Sequence, residues 1–319
     1  MHTVEPKQRV VERQVTLVRA TVVAVLLLGL ASTEAQAEPA QALPPPAPYS
    51  LPFQLRPAMA VSAARLDSAL ALWQGAAGLP GTTVVSTALF SYKLAPGFSP
   101  LLRLGIVGNA PPGPAEGNTR GAASFMNPVL GATYGFSPHP QWKVALFLGA
   151  AFPLGTGSTA SPERVANAAG VLGRSAMDNA MFAVNYLTFF PGVGVAWVAN
   201  GWTVQLEATL LQLLRVRGEE VDSDAARTNF TSGLHVGYFF IPQLSLGAEL
   251  RYQRWLSNPS VPADAPAVDT LTAAIGPRVH FKLTPNLWSR AAVVYSRGLD
   301  NPMAAANYHV VQLDLAFPF

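Results

Sequence analysis

The chain has 319 residues, half of them apolar and only 12% charged, with no cysteine and a formal charge of +3. Without cysteine there can be no disulfide, thiolate metal site, cysteine nucleophile or lipid-modified cysteine of an exported lipoprotein. So small a charge leaves no electrostatic footprint for nucleic acid.

Residues 1–37 read as a secretory signal peptide. Lys7, Arg9, Arg13 and Arg19 make a basic start, Ala20 to Ser32 an apolar core, and Ala35-Gln36-Ala37 a small-x-small cleavage site before Glu38. That core is short for a spanning helix, which is the alternative reading of the segment. Removing it, with its four basic and three acidic residues, leaves a charge of about +2. Residues 38–56 begin with five prolines in thirteen positions and are expected to form an extended periplasmic linker.

The third region, 57–319, holds the apolar residues, yet no run of 18 apolar residues occurs after residue 37. Hydrophobicity spread one residue in two over short segments is the pattern of a closed antiparallel transmembrane β-barrel, an all-β fold. Twelve such segments are expected, at 57–73, 82–94, 100–110, 124–136, 141–153, 188–199, 202–216, 226–240, 243–256, 267–282, 287–297 and 306–319. Each is near or beyond the ~9–11 residues that a tilted strand needs to cross a bilayer. From the second strand onward the connections alternate. Ala95–Ser99, Ser137–Pro140, Asn200-Gly201, Ile241-Pro242 and Thr284–Asn286 are short, and the loops between them are longer. Short periplasmic turns facing long extracellular loops produce that alternation, and an even strand count puts both termini in the periplasm.

Alternate positions assign the faces. On the fifth strand Trp142, Val144, Leu146, Leu148, Ala150 and Phe152 point outward. On the seventh it is Trp202, Val204, Leu206, Ala208 and Leu210, and on the ninth Leu244, Leu246, Ala248, Leu250 and Tyr252. Trp142 and Trp202 follow short turns, and Phe136, Tyr238, Phe281 and Phe319 end the matching strands, as in an interfacial aromatic girdle. Pro128, Pro191 and Pro277 fall within strands, where bulges are expected.

The opposite parity collects Arg65, Asp67, Arg103, Glu207, His235, Glu249, Arg251, Arg278, His280, Arg290 and Asp314. A charge facing lipid costs about 2–4 kcal/mol at mid-depth, so these residues are expected to line the lumen as a belt of both signs. Facing Arg290 inward also turns Trp288 inward. The belt can brace a narrow barrel through ion pairs or select solutes at a constriction, and twelve strands do not decide between the two. His235 and His280 have no third ligand at metal-like spacing, and no cofactor is implied.

The longest loop, between the fifth and sixth strands, contains Ser161-Pro162-Glu163-Arg164, a helix start. Val165 to Leu172 can continue it, and Ala166, Ala168, Ala169 and Gly170 would allow close packing against a wall.

The final strand closes the reading. Val311, Leu313, Leu315, Phe317 and Phe319 share an apolar face, while Val310, Gln312, Asp314, Ala316 and Pro318 share the other. This tail resembles the closing strand of bacterial outer-membrane β-barrel proteins, in which the terminal aromatic is an assembly signal. The resemblance implies the outer membrane, with its lipids and lipopolysaccharide, and the barrel assembly machinery as partner. In general porins the third loop enters the lumen, and the helical loop here is similar to it in position. Three functions remain open: a passive channel for an unknown small solute, a plugged structural or interaction barrel acting through its loops, and an outer-membrane phospholipase. The last would use Ser68, His309 and Asn307 on the outer face, where the first and last strands meet.

Overall fold

The computed structural model describes residues 48–75, 78–112, 121–159, 161–218, 225–257, 268–285 and 287–319. The signal-peptide reading and the first part of the expected linker lie outside these residues. The described residues form thirteen strands. They are β1 (Ala63–Gln74), β2 (Pro80–Ser91), β3 (Phe98–Ala110), β4 (Ala122–Phe125), β5 (Val129–His139), β6 (Trp142–Ala151) and β7 (Tyr186–Ala199). The rest are β8 (Trp202–Arg215), β9 (Ala226–Ile241), β10 (Leu244–Ser257), β11 (Asp269–Thr284), β12 (Leu287–Gly298) and β13 (His309–Pro318). Two helices, α1 (Pro162–Gly173) and α2 (Asn179–Phe182), lie between β6 and β7.

Consecutive strands pair antiparallel except β4 with β5, and β1 pairs with β13, so the sheet closes. β4 and β5 both pair with β3 and together form one stave, so the barrel has twelve staves. At the seam Asp67 lies opposite Asp314, and the Phe319 N–H donates to the Ser62 carbonyl at 3.1 Å. No helix among the described residues is long and apolar enough to cross a membrane; the strands do so instead.

The predicted parity holds around the ring. Leu66, Ile106, Leu206, Leu246, Val293 and Leu313 are exposed on the outside, as are Trp142 and Trp202. Such a continuous apolar exterior is stable only against lipid. The barrel therefore crosses a lipid bilayer with its strands. Loop lengths alternate as predicted, giving a short-turn end and a long-loop end. At Asn200-Gly201 both residues have positive φ, 51° and 81°, the backbone of a two-residue hairpin that matches strand twist.

The three prolines behave differently from one another. Pro128 ends a true interruption. Arg103 pairs with Val129 and Ile106 with Phe125, so Met126-Asn127-Pro128 holds one residue more than the opposing strand. The extra residue flips the parity, and both Met126 and Asn127 are buried inside. Pro191 and Pro277 make no bulge, contrary to expectation. Pairing with one neighbour skips two residues there and resumes in the same register, because only the missing N–H is lost.

The first strand starts at Ala63 rather than residue 57. Residues 48–62 are not strand: Tyr49, Ser50, Leu51, Phe53 and Leu55, expected at the end of a linker, and Ala58, expected in the first strand, are buried inside the barrel.

Candidate functional site: a lumen filled from both ends

An irregular segment inside a barrel has no ladder to satisfy its backbone, so the wall side chains must do it. That is what the charged belt does for residues 48–58. Glu249 accepts the N–H groups of Phe53 and, at 3.3 Å, Gln54. Glu207 accepts the Arg56 N–H and pairs with its guanidinium at 2.7 Å. Arg65 and Arg278 both donate to Asp314 and to the Pro52 carbonyl. Gln312 donates to the Phe53 carbonyl at 3.1 Å, and Gln205 to that of Arg56 at 2.7 Å. The Tyr49 hydroxyl donates to Gln205 and accepts from the Ala58 N–H at 3.0 Å.

Apolar contacts complete the fit. Phe53 lies beneath the Arg278 guanidinium and edge-on to His235, which is fully buried. The segment passes so close to the wall that a Cβ on Gly233 would meet Leu55 at 2.5 Å, and one on Gly237 would meet Ser50 at 2.2 Å. We refer to residues 48–58 as the plug.

The second insert comes from the long-loop end. Pro162 starts α1, which extends the predicted helix by one residue beyond Leu172. Ala166 and Gly170 face the wall as expected, and Gly170 sits against Phe182 and Val107. Ala168, expected to pack as well, is exposed because it lies on the opposite face of the helix. Asn127, turned inward by the bulge, donates to the Ala183 carbonyl at 2.8 Å and accepts from the Gly155 N–H at 3.0 Å.

After α1 the chain buries Arg174, whose side chain is 1% exposed. Arg174 bonds Asp67 at 2.8 Å and Asp178 at 2.9 Å, and Arg103 bonds Asp178 at 2.6 Å. Burial alone would push the Asp178 carboxyl up. Arg103, and then Arg174, outweigh it and hold that carboxyl well below the usual carboxylate range. A depressed carboxylate contributes stability in full above its unfolded pKa, and the contribution fades as pH falls through the folded value. Protease protection of residues 154–185 in the reconstituted barrel is therefore expected to persist into mild acid, failing only below the ordinary carboxylate range. Loss of protection near neutral pH would refute this.

The two inserts touch. The Gln54 side chain donates to the Arg174 carbonyl at 2.6 Å, and Arg251, paired with Glu249 at 2.7 Å, also reaches the Ser175 hydroxyl at 3.3 Å. Cavities remain among the described residues. One of about 390 Å³ at the short-turn end is lined by Tyr49, Phe239, His280, Trp288 and Arg290. A narrow one of about 50 Å³ lies between Arg56 and Met181. One of about 240 Å³ opens among α1, α2 and the ends of β8 to β10.

The eleven residues expected to line the lumen do not form one belt. Glu207, Glu249, Arg278, Arg65 and Asp314 hold the plug, whereas Asp67, Arg103 and Arg251 reach the loop. His280 bonds Ser245 at 2.8 Å and, with Arg290, borders the end cavity beside an inward Trp288, as the parity required. Sequence reasoning missed Arg56, Arg174 and Asp178. The available signals were the inward glycines on β9 and β10, too small to fill a lumen alone, and the Arg174–Asp178 spacing of four.

The phospholipase arrangement is not assembled. The seam register places Ser68 opposite Leu313 and His309 opposite Leu72. Four strand residues, about 13 Å, separate the two levels. Asn307 does meet His309 at 3.1 Å, but the other ring nitrogen faces the Tyr295 hydroxyl, and Ser68 bonds Ser86.

Comparison with known proteins agrees with the architecture. A crystal structure of an outer-membrane channel from Pseudomonas putida F1 aligns with a TM-score of 0.52 at 12% identity, covering 84% of this chain and 98% of that one. The NanC porin aligns at 0.46 with 10% identity, over 80% of this chain and 98% of that one. The KdgM porin, in complex with disordered oligogalacturonate, aligns at 0.45 with 12% identity, over 80% and 99%. No curated protein matches the sequence. Residues 73–301 match the model of the family described as "Putative MetA-pathway of phenol degradation", and the chain, an outer-membrane β-barrel, belongs to that family.

Proposed function

We propose that the protein is an outer-membrane channel for a small organic solute, closed in this conformation by the plug and the third long loop. The observation that carries this reading is the meeting of the two inserts at Gln54 and Arg174, in series along one lumen. The loop is held by a few buried ion pairs and by Asn127, and the plug by wall side chains rather than a ladder. Such bonds can be exchanged for water without unravelling the sheet. The family description, which names phenol degradation, supports a small organic cargo. In this reading the short turns and both termini face the periplasm, and residues 1–37 are the export signal. The plug then enters from the periplasm and the helical loop from outside. Lipids and lipopolysaccharide surround the girdle, and the barrel assembly machinery reads Phe319.

The cysteine-free background makes a direct test clean. Leu55→Cys places a thiol in the plug, where Leu55 is 1% exposed. In planar bilayers the protein is expected to show a low conductance with brief openings. A membrane-impermeant thiol reagent should label the Leu55→Cys variant at a rate that follows the open time. An electrically silent barrel with an unlabelled thiol, even when plug anchors are removed, would instead make it a plugged scaffold acting through its loops.

A further inference from the structure

We infer that the cavity of about 390 Å³ at the short-turn end is a binding site for a small organic monocarboxylate, with Arg290 holding its carboxylate and the surrounding aromatic side chains its apolar body. Arg290 is a cation without a counterion among the described residues. Its Nε is buried and makes no hydrogen bond. Its two terminal nitrogens make none either, and they keep exposed surface on a half-buried residue that lines the cavity.

The sheet register explains why Arg290 is unpaired. It lies opposite His280 on β11 and Ala316 on β13, so neither cross-strand neighbour offers a carboxylate. Asp314, one inward position along β13 from Ala316, is already shared by Arg65 and Arg278. Arg278 also donates to the Arg290 carbonyl at 2.9 Å, so a second guanidinium stands beside the first. None of the described residues lining the cavity is acidic. A guanidinium stays charged at any ordinary pH, and a half-buried one without a counterion is unfavourable until an anion arrives.

The rest of the cavity limits what that anion is. Tyr49, Phe239, Ile241 and Trp288 line it, and the Phe239 ring packs against His280 with centroids 4.7 Å apart. Such walls suit an apolar body. They offer little to a second charged group, because the His280 Nε2 is engaged with Ser245 at 2.8 Å. A planar guanidinium matches a carboxylate through two parallel N–H groups. One free cation between apolar walls therefore fits a single carboxylate on a ring or short chain, and an amine would be repelled by Arg290 and Arg278. Pro48 and Tyr49 form part of the wall, so the site lies where the plug begins. Its place in a transport path rests on the channel reading; its binding chemistry does not.

The test is equilibrium dialysis of full-length protein in phosphatidylcholine nanodiscs at neutral pH against benzoate, benzamide and acetate. Benzoate carries carboxylate and ring, benzamide the ring without the charge, and acetate the charge without the ring. Saturable benzoate binding, roughly tenfold or more tighter than either of the others, is expected. Arg290→Gln should abolish it, and Arg290→Lys should restore part of it, because a point charge replaces the two-pronged contact. Melting of the barrel reads folding independently. The empty Arg290→Gln barrel should melt no lower than the parent, and benzoate should raise the transition of the parent but not of Arg290→Gln. A marked fall in the empty variant would show that Arg290 is bonded within the fold and overturn the site. So would benzamide or acetate binding as tightly as benzoate, benzoate binding unchanged in Arg290→Gln, or no binding by the parent. Conductance measured in parallel separates the two readings. Benzoate binding by a barrel that never conducts supports the site and refutes the channel, whereas conductance without benzoate binding refutes only the site.

Discussion

Replacing Glu249 by glutamine is expected to raise the open probability of a seldom-open barrel about a hundredfold, although the third loop still closes the path for most of the time. Glu249 accepts from two plug N–H groups, pairs with Arg251 at 2.7 Å and faces His235 at 3.5 Å. Glutamine has the same size but no charge, and its amide nitrogen faces donors. Removing one partner of a buried ion pair costs about 3–5 kcal/mol, because the other charge stays desolvated. Here the cost falls on the closed state. Once the plug leaves, water reaches Arg251 and the penalty disappears. A shift of about 3 kcal/mol changes the ratio of open to closed barrels about a hundredfold. Open probability in planar bilayers reads this directly. Arg254→Ala is the control. It removes a solvent-exposed pair with Asp269 at 2.8 Å and should leave gating alone. A folded Glu249→Gln barrel with the parent's open probability would show that the belt does not retain the plug.

Replacing Arg174 by methionine should release the other insert. Methionine fills a similar volume but strands the Asp67 carboxylate and leaves Asp178 with Arg103 alone, a loss of about 3–5 kcal/mol that falls on the docked loop. Faster proteolysis within residues 154–185 and a lowered melting transition of the folded barrel are expected. Arg174→Lys should restore only part of the protection, because a point charge cannot bond both carboxylates as the planar guanidinium does. Conductance should stay low in absolute terms in either single variant, since the other insert still blocks the path for most of the time. With Arg174→Met and Glu249→Gln combined, it should rise by more than the two single effects together, as two closures in series require. Simple additivity of open probability would mean that the inserts do not share one path.

The wall of this protein is legible in its sequence because the wall is written locally. Val311, Leu313, Leu315 and Phe317 alternate with Gln312, Asp314 and Ala316 on a two-residue period, and that period is backbone geometry. Turns such as Asn200-Gly201 mark strand ends by their own residue types. The same parity also sends Glu207, Glu249 and Arg278 inward, since lipid cannot solvate them.

What those charges hold was decided only by the tertiary structure. Pairs such as Arg56–Glu207 and Arg174–Asp67 join residues more than a hundred positions apart, and nothing periodic announces them. Residues 48–58 lack strand alternation for the same reason that a linker does, because neither belongs to a ladder. Composition therefore could not separate a segment lying in the periplasm from one threaded through the lumen. The difference lies in where the irregular backbone finds its hydrogen bonds: in water for a linker, and in Glu249, Arg65 and Gln205 for the plug.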